Sequence, residues 1–226
     1  MTPFLPIDPS QACPGFYVAE VRGNNADGRY GLRVDLDPNG NKLLQGGINL
    51  GGRFGVVGNP GFAAFSISNP AGEAQVVDVQ LAVNKPANMA YDYLLTQRFA
   101  DGSSAFILGG REFGSTVNLS QVVNPGFYVF ELASVGANAT AADFAVSLGT
   151  RFTNRAGGAF DGGVNIGGVV EGPSVGFASF CVSQAQSVRL ETLGDGTYPG
   201  AFPGGAADLG ILVKNGVTGE VIIRVP

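Results

Sequence analysis

Near the middle of the chain Pro125, Gly126, Phe127, Tyr128 and Val129 repeat Pro14, Gly15, Phe16, Tyr17 and Val18 from its start. Two longer stretches recur at almost the same spacing. Gly46-Gly47-Ile48-Asn49-Leu50-Gly51-Gly52 returns as Gly162-Gly163-Val164-Asn165-Ile166-Gly167-Gly168, and GFAAFSIS from Gly61 returns as GFASFCVS from Gly176. The displacements are 111, 116 and 115 residues, each close to half of the 226-residue length. A fainter match sets Tyr91-Asp92-Tyr93-Leu94-Leu95 against Ala207-Asp208-Leu209-Gly210-Ile211. A fixed displacement of this kind is the mark of internal duplication, and the chain reads as two copies of one unit.

Within each copy the apolar runs are short. Residues 16–21, 30–36, 75–83, 127–132 and 144–148 are rich in Val, Phe and Tyr, which suit a pleated, half-buried surface. Between such runs stand turn formers: Ala26-Asp27-Gly28, Pro38-Asn39-Gly40, Ala100-Asp101-Gly102 and Asn215-Gly216. No stretch keeps a helical period. Many short strands at this spacing predict an all-β chain of two tandem antiparallel β-sandwiches, of jelly-roll or Greek-key type.

Composition narrows function by exclusion. The chain has no His and no Trp, 36 Gly, and only 14% charged residues, against about 25% in an average domain. Without imidazole there is no Ser-His-Asp or Cys-His machinery and no His-ligated metal. Thirteen Lys and Arg against 18 Asp and Glu, with no basic run, offer no footprint for nucleic-acid phosphates. No apolar run approaches the roughly 18 residues of a membrane span. Residues 1–14 lack both the positive cluster and the apolar stretch of a signal peptide, so export would need a peptide already removed, excision from a longer chain, or another route.

The order of runs over residues 54–149 resembles the bacterial pre-peptidase C-terminal domain. The resemblance is carried by Phe62-Ala63-Ala64-Phe65-Ser66-Ile67, by Asp92-Tyr93-Leu94-Leu95 before the turn Asp101-Gly102, and by Asn124 to Val129 with the closing Asp143-Phe144-Ala145-Val146-Ser147-Leu148. It implies a secreted jelly-roll sandwich that acts as an attachment or targeting module beside an enzyme. The chain differs from that family in lacking a run of acidic residues before the DYLL strand, where calcium would be expected.

On that frame the chain is out of phase with its own repeat. Residues 54–149 form a contiguous unit, and residues 150–226 supply the first part of a second. Residues 1–53 hold the closing hairpin, with Phe16, Tyr17, Val18, Val21, Tyr30, Leu32 and Val34 as the expected assembly-strand residues, followed by a connector. The second sandwich is then closed either by the chain's own N-terminus or by that of a neighbour, as in strand donation. Repeated head to tail, the latter contact is heterologous and builds a filament or ring of identical subunits. Both cysteines fall on this composite unit: Cys13 corresponds to Asn124 and Cys181 to Ser66. A Cys13–Cys181 disulfide would fasten the terminal strands, provided the Cα atoms come within about 7 Å, and would belong to an oxidising, extracellular or cell-surface setting.

The remaining candidates have plainer readings. The GGxNxGG segments resemble phosphate loops, but they lack the GK[ST] ending and the strand-helix context. They are expected to be bends or close approaches of strand Gly, with Asn49 and Asn165 stabilising turns. Asp35, Asp37, Asp101, Asp143, Asp161, Asp195 and Asp208 lie near turns without a DxDxDG loop, which leaves calcium a minor reading. Sixteen Phe and six Tyr without Trp leave a carbohydrate platform a minor one too. Asn118-Leu119-Ser120 and Asn138-Ala139-Thr140 match the glycosylation acceptor pattern. No local signature marks the carboxylate pair of a glycosidase. The expectation is a non-enzymatic protein without cofactor or metal: a self-assembling structural subunit, or alternatively a monomeric attachment module.

Overall fold

A computed structural model of the chain describes residues 15–23, 28–36, 43–45, 48–56, 60–67, 74–153, 159–170, 175–182, 188–192, 209–215 and 217–225. These residues are all-β. Sixteen strands follow in chain order: β1 (Gly15–Gly23), β2 (Gly28–Leu36), β3 (Leu43–Gln45), β4 (Ile48–Phe54), β5 (Gly61–Ile67), β6 (Gln75–Asn84), β7 (Ala90–Arg98) and β8 (Ser104–Glu112) in the first part. Then come β9 (Thr116–Val123), β10 (Gly126–Val135), β11 (Ala142–Phe152), β12 (Ala159–Val170), β13 (Val175–Val182), β14 (Val188–Thr192), β15 (Leu209–Asn215) and β16 (Val221–Val225). They join in one antiparallel hydrogen-bonded network whose longest path runs β16-β15-β1-β13-β4-β12-β5-β10-β7-β8.

Local sequence explains several of these strands. In β6 the apolar Val77, Val79, Leu81 and Val83 are buried and alternate with Asp78, Gln80, Ala82 and Asn84, which is the period-2 pattern of a strand with one face in the core. β5 carries buried apolar side chains on both faces: Ala63, Phe65 and Ile67 join the main core, while Phe62 and Ala64 join Val129 in a separate cluster. The turn from β7 to β8 is held by Asp101, whose Oδ1 accepts from the Ser103 amide at 2.9 Å and the Ser103 hydroxyl at 2.6 Å. Gly102 follows at φ +84°, a conformation that costs a residue with a Cβ.

Two runs of strands enclose the contiguous half. One is β5-β10-β7-β8 and the other is β4-β11-β6-β9. Their inward side chains meet in one core, where the Phe54 ring lies 6.1 Å from Tyr91 and 6.0 Å from Phe144, and Phe65 stacks on Tyr128 at 5.9 Å. The same buried cluster includes Ala19, Val21, Leu32, Ala178 and Phe180, so the N- and C-terminal strands share this core. β4 and β12 each carry partner strands on both edges. β4 pairs with β11 on one side and β13 on the other, and β12 likewise pairs with β5 and β2.

The Gly-Asn segments lie within these two strands. Asn49 is the second residue of β4 and Asn165 lies in the middle of β12, so both are in strands and not at turns. Asn and Gly are turn formers locally, but here pairing on both sides overrides that preference. The glycine reading fares differently. A Cβ at Gly51 would lie 2.0 Å from the Phe177 ring, which occupies the missing side chain's place. Gly167 faces Phe62, the counterpart of Phe177, in the matching register.

Candidate functional site: the seat of the N-terminal strands

β1 lies between β13 and β15. Phe16 stands opposite Cys181, Tyr17 opposite Phe180 and Val18 opposite Ser179, and on the other side Val18 faces Lys214. β10 occupies the same place between β5 and β7, with Phe127 opposite Ser66, Tyr128 opposite Phe65, and Val129 facing Thr96. Across β1 and β13 the pairing reproduces the displacements of 111 and 115 found in the sequence, whereas Lys214 takes the place of Thr96, two residues beyond the position that the fainter match of Tyr91–Leu95 with Ala207–Ile211 gives. Even an irregularity is shared: the register shifts between Leu95 and Thr96 toward β8, and between the corresponding Val213 and Lys214 toward β16.

β2 runs between β12 and β14, where Tyr30 faces Gly168, Leu32 faces Ile166 and Thr192, and Val34 faces Val164 and Leu190. Among the described residues β1 and β2 do not pair with each other, so the expected closing hairpin is a pair of strands in two separate ladders. β10 and β11 behave the same way. Between β10 and β11, residues 136–141 cross from one ladder to the other in place of a tight turn.

Side chains anchor β1 firmly. Ala19 and Val21 are fully buried, Val18 is nearly so, and the Tyr17 ring lies 6.1 Å from Phe180. On the opposite face Glu20 accepts from the Lys214 ammonium at 2.7 Å and from the Arg22 guanidinium. Burial opposes ionisation of Glu20, yet Lys214 and Arg22 outweigh it and hold the carboxyl below its ordinary value. The counterpart in β10 is Glu131, which meets Arg98 at 3.4 Å. This shared acidic position follows the repeated Gly-Phe-Tyr-Val segment by two residues, a signal present in the sequence but outside the candidate residues chosen from it. Tyr128 adds a further anchor, since its hydroxyl donates to the Asn124 carbonyl at 2.6 Å.

Of the cysteines, Cys13 lies outside the described residues, and Cys181 is placed by its backbone alone, in β13. Among the acidic candidates, Asp101 serves its turn, Asp143 pairs with Arg53 at 3.1 Å, and Asp35 and Asp161 lie in β2 and β12. Asp37, Asp195 and Asp208 lie outside the described residues. No group of three or more Cys, Asp or Glu converges among the described residues. Asn118 is exposed in β9 and Asn138 in the turn after β10. No helix of the described residues is long and apolar enough to cross a membrane. Comparison of the chain with family models, curated proteins and solved structures gives no match.

Proposed function

We propose that the chain is an extracellular structural subunit of two jelly-roll-type sandwich units, which polymerises head to tail by exchanging its N-terminal strands between copies. One observation supports the reading above the others. Among the described residues β1 and β2 pair only with strands of the C-terminal half, β12 to β15, and fill there the places that β10 and β11 fill in the contiguous half. The same residues of a neighbouring copy can make each of these pairings equally well, because no described ladder ties β1 or β2 to β4, the next long strand in the chain. Exchange would change which chain supplies β1 and β2 in these ladders, while β3, which pairs with β12 beside β2, would stay with its own chain. A Cys13–Cys181 disulfide would make the exchanged state covalent.

A second reading has its own support. The ladders around β1 are complete within one chain, as a monomeric attachment module requires. Light scattering coupled to size exclusion separates the two. The full chain is expected to form multimers that a variant lacking residues 1–37 cannot form. That variant is expected to capture a synthetic peptide of residues 13–36 in equimolar amount. A full chain that stays monomeric at all concentrations, with or without reductant, supports the attachment module and sinks the filament.

A further inference from the structure

The solvent face of β11, β6 and β9 forms a trough of about 430 Å³ that the strand seat does not use, a volume within the usual range for small-ligand sites. Its lining is set by register. Ser147 faces Gln80 and Gln80 faces Asn118, while Gly149 faces Asp78 and Asp78 faces Ser120, giving two rows of polar groups across three strands. The floor is low because Gly149 has no side chain, and a Cβ placed there meets nothing within 4 Å.

Asp78 is held in one orientation by two partners. The Ser120 hydroxyl donates to it at 2.6 Å and the Arg151 guanidinium at 3.0 Å. The ion pair leaves the trough without net charge, which disfavours an anionic or cationic guest. One carboxylate does not make a metal site, and the other two lining residues, Val79 and Leu119, turn their side chains to the core, which leaves the polar rows no apolar side chain to anchor a lipid or a hydrophobic peptide. What they present is two amides, two hydroxyls and a carboxylate. The amides of Gln80 and Asn118 make no hydrogen bond to other described side chains, so donors and acceptors remain available side by side. A guest that matches must be neutral and carry several hydroxyls at fixed spacing.

We infer that this trough binds a neutral oligosaccharide. The inference stands independently of strand exchange, since it uses residues of the contiguous half alone. With no aromatic ring to stack on a sugar, affinity is expected in the millimolar range.

The test is a titration of the isotopically labelled full chain with neutral disaccharides of glucose, galactose and N-acetylglucosamine, followed by amide chemical shifts. Saturable shifts are expected at Asp78, Gln80, Asn118, Ser120, Ser147 and Gly149. Gln80→Ala or Asn118→Ala should weaken binding up to about tenfold, the loss of one or two hydrogen bonds. Gly149→Val fills an open space, so it should keep the fold while abolishing binding. The inference is overturned by an absence of saturable shifts with every sugar, by shifts elsewhere on the surface, or by undiminished binding in folded Gly149→Val. Concentration-dependent shifts at these residues without sugar would also overturn it, by showing that a second copy covers the trough.

Discussion

Replacing Gly51 by Ala tests the joint between β4 and β13. An added Cβ would stand 2.0, 2.4 and 2.9 Å from three atoms of the Phe177 ring, whereas carbon atoms rest about 3.5–4.0 Å apart. The ring must therefore withdraw by about 1.5 Å or more. A Phe side chain buries about 150–250 Å², and losing about 60 Å² of that at about 25 cal/mol/Å² costs about 1.5 kcal/mol. Ala is better than Gly inside a strand by about 0.5–1 kcal/mol. Gly51 has no positive φ to add strain. The net effect is a loss of about 1 kcal/mol, or about 2–4 °C in melting temperature for a chain of this size. In a Phe177→Ala background the clash is gone and only the strand preference remains, so the same substitution should stabilise by about 0.5–1 kcal/mol. Urea unfolding of the four proteins followed by circular dichroism gives the coupling, expected near 2 kcal/mol. An equal effect in both backgrounds, or a stabilised single Gly51→Ala, would refute the packing of β13 onto β4.

Two ionisable side chains give further expectations. Tyr91 is fully buried, its hydroxyl finds no hydrogen-bond partner among the described residues, and burial together with Glu112 pushes its pKa up to about 12. The phenol is neutral in both states below its ordinary value of 10.0, so stability should fall between there and about pH 12 as the unfolded chain ionises first, by about 1.4 kcal/mol per pH unit. Tyr91→Phe should remove this slope and raise stability at pH 7 by about 1 kcal/mol, as read by denaturant titration at each pH. Glu20 has the opposite sign. Its lowered pKa contributes stability above the ordinary value of 4.5, and this is lost as pH falls. Glu20→Gln should cost about 1 kcal/mol at pH 7 and much less at pH 3, with hydrogen exchange in β1 accelerated at neutral pH only; equal exchange at both would sink the anchor role.

The all-β character was legible, and the repeated segments fall on strands in equivalent pairings because their residues are contiguous. The segment around Phe127 and its partner around Phe16 place β10 and β1, and the Gly61 and Gly176 segments place β5 and β13. Strand character was legible wherever Val, Phe and Tyr cluster, as in β6 and β10. The strand positions of Asn49 and Asn165 were not legible, because residue type reports local preference, whereas their place in β4 and β12 is set by partners more than 90 positions away along the chain. The glycine spacing was half legible: close approach was expected at these segments, but which ring approaches depends on register. The trough was not legible at all. Ser147, Gln80 and Asn118 are ordinary polar residues of separate strands, and only antiparallel pairing sets them in one row.

A crosslink at the seat of β1 tests the exchange of N-terminal strands most directly. Arg22 in β1 stands opposite Val175 in β13, so Arg22→Cys with Val175→Cys, in a chain whose own Cys13 and Cys181 are replaced by Ser, should oxidise readily. Denaturing electrophoresis without reductant then reports whose strand fills the seat. A ladder of covalent multimers is the expected result. A single oxidised monomer, lighter by about two hydrogens, would show that each chain closes on itself and would contradict polymerisation by strand exchange.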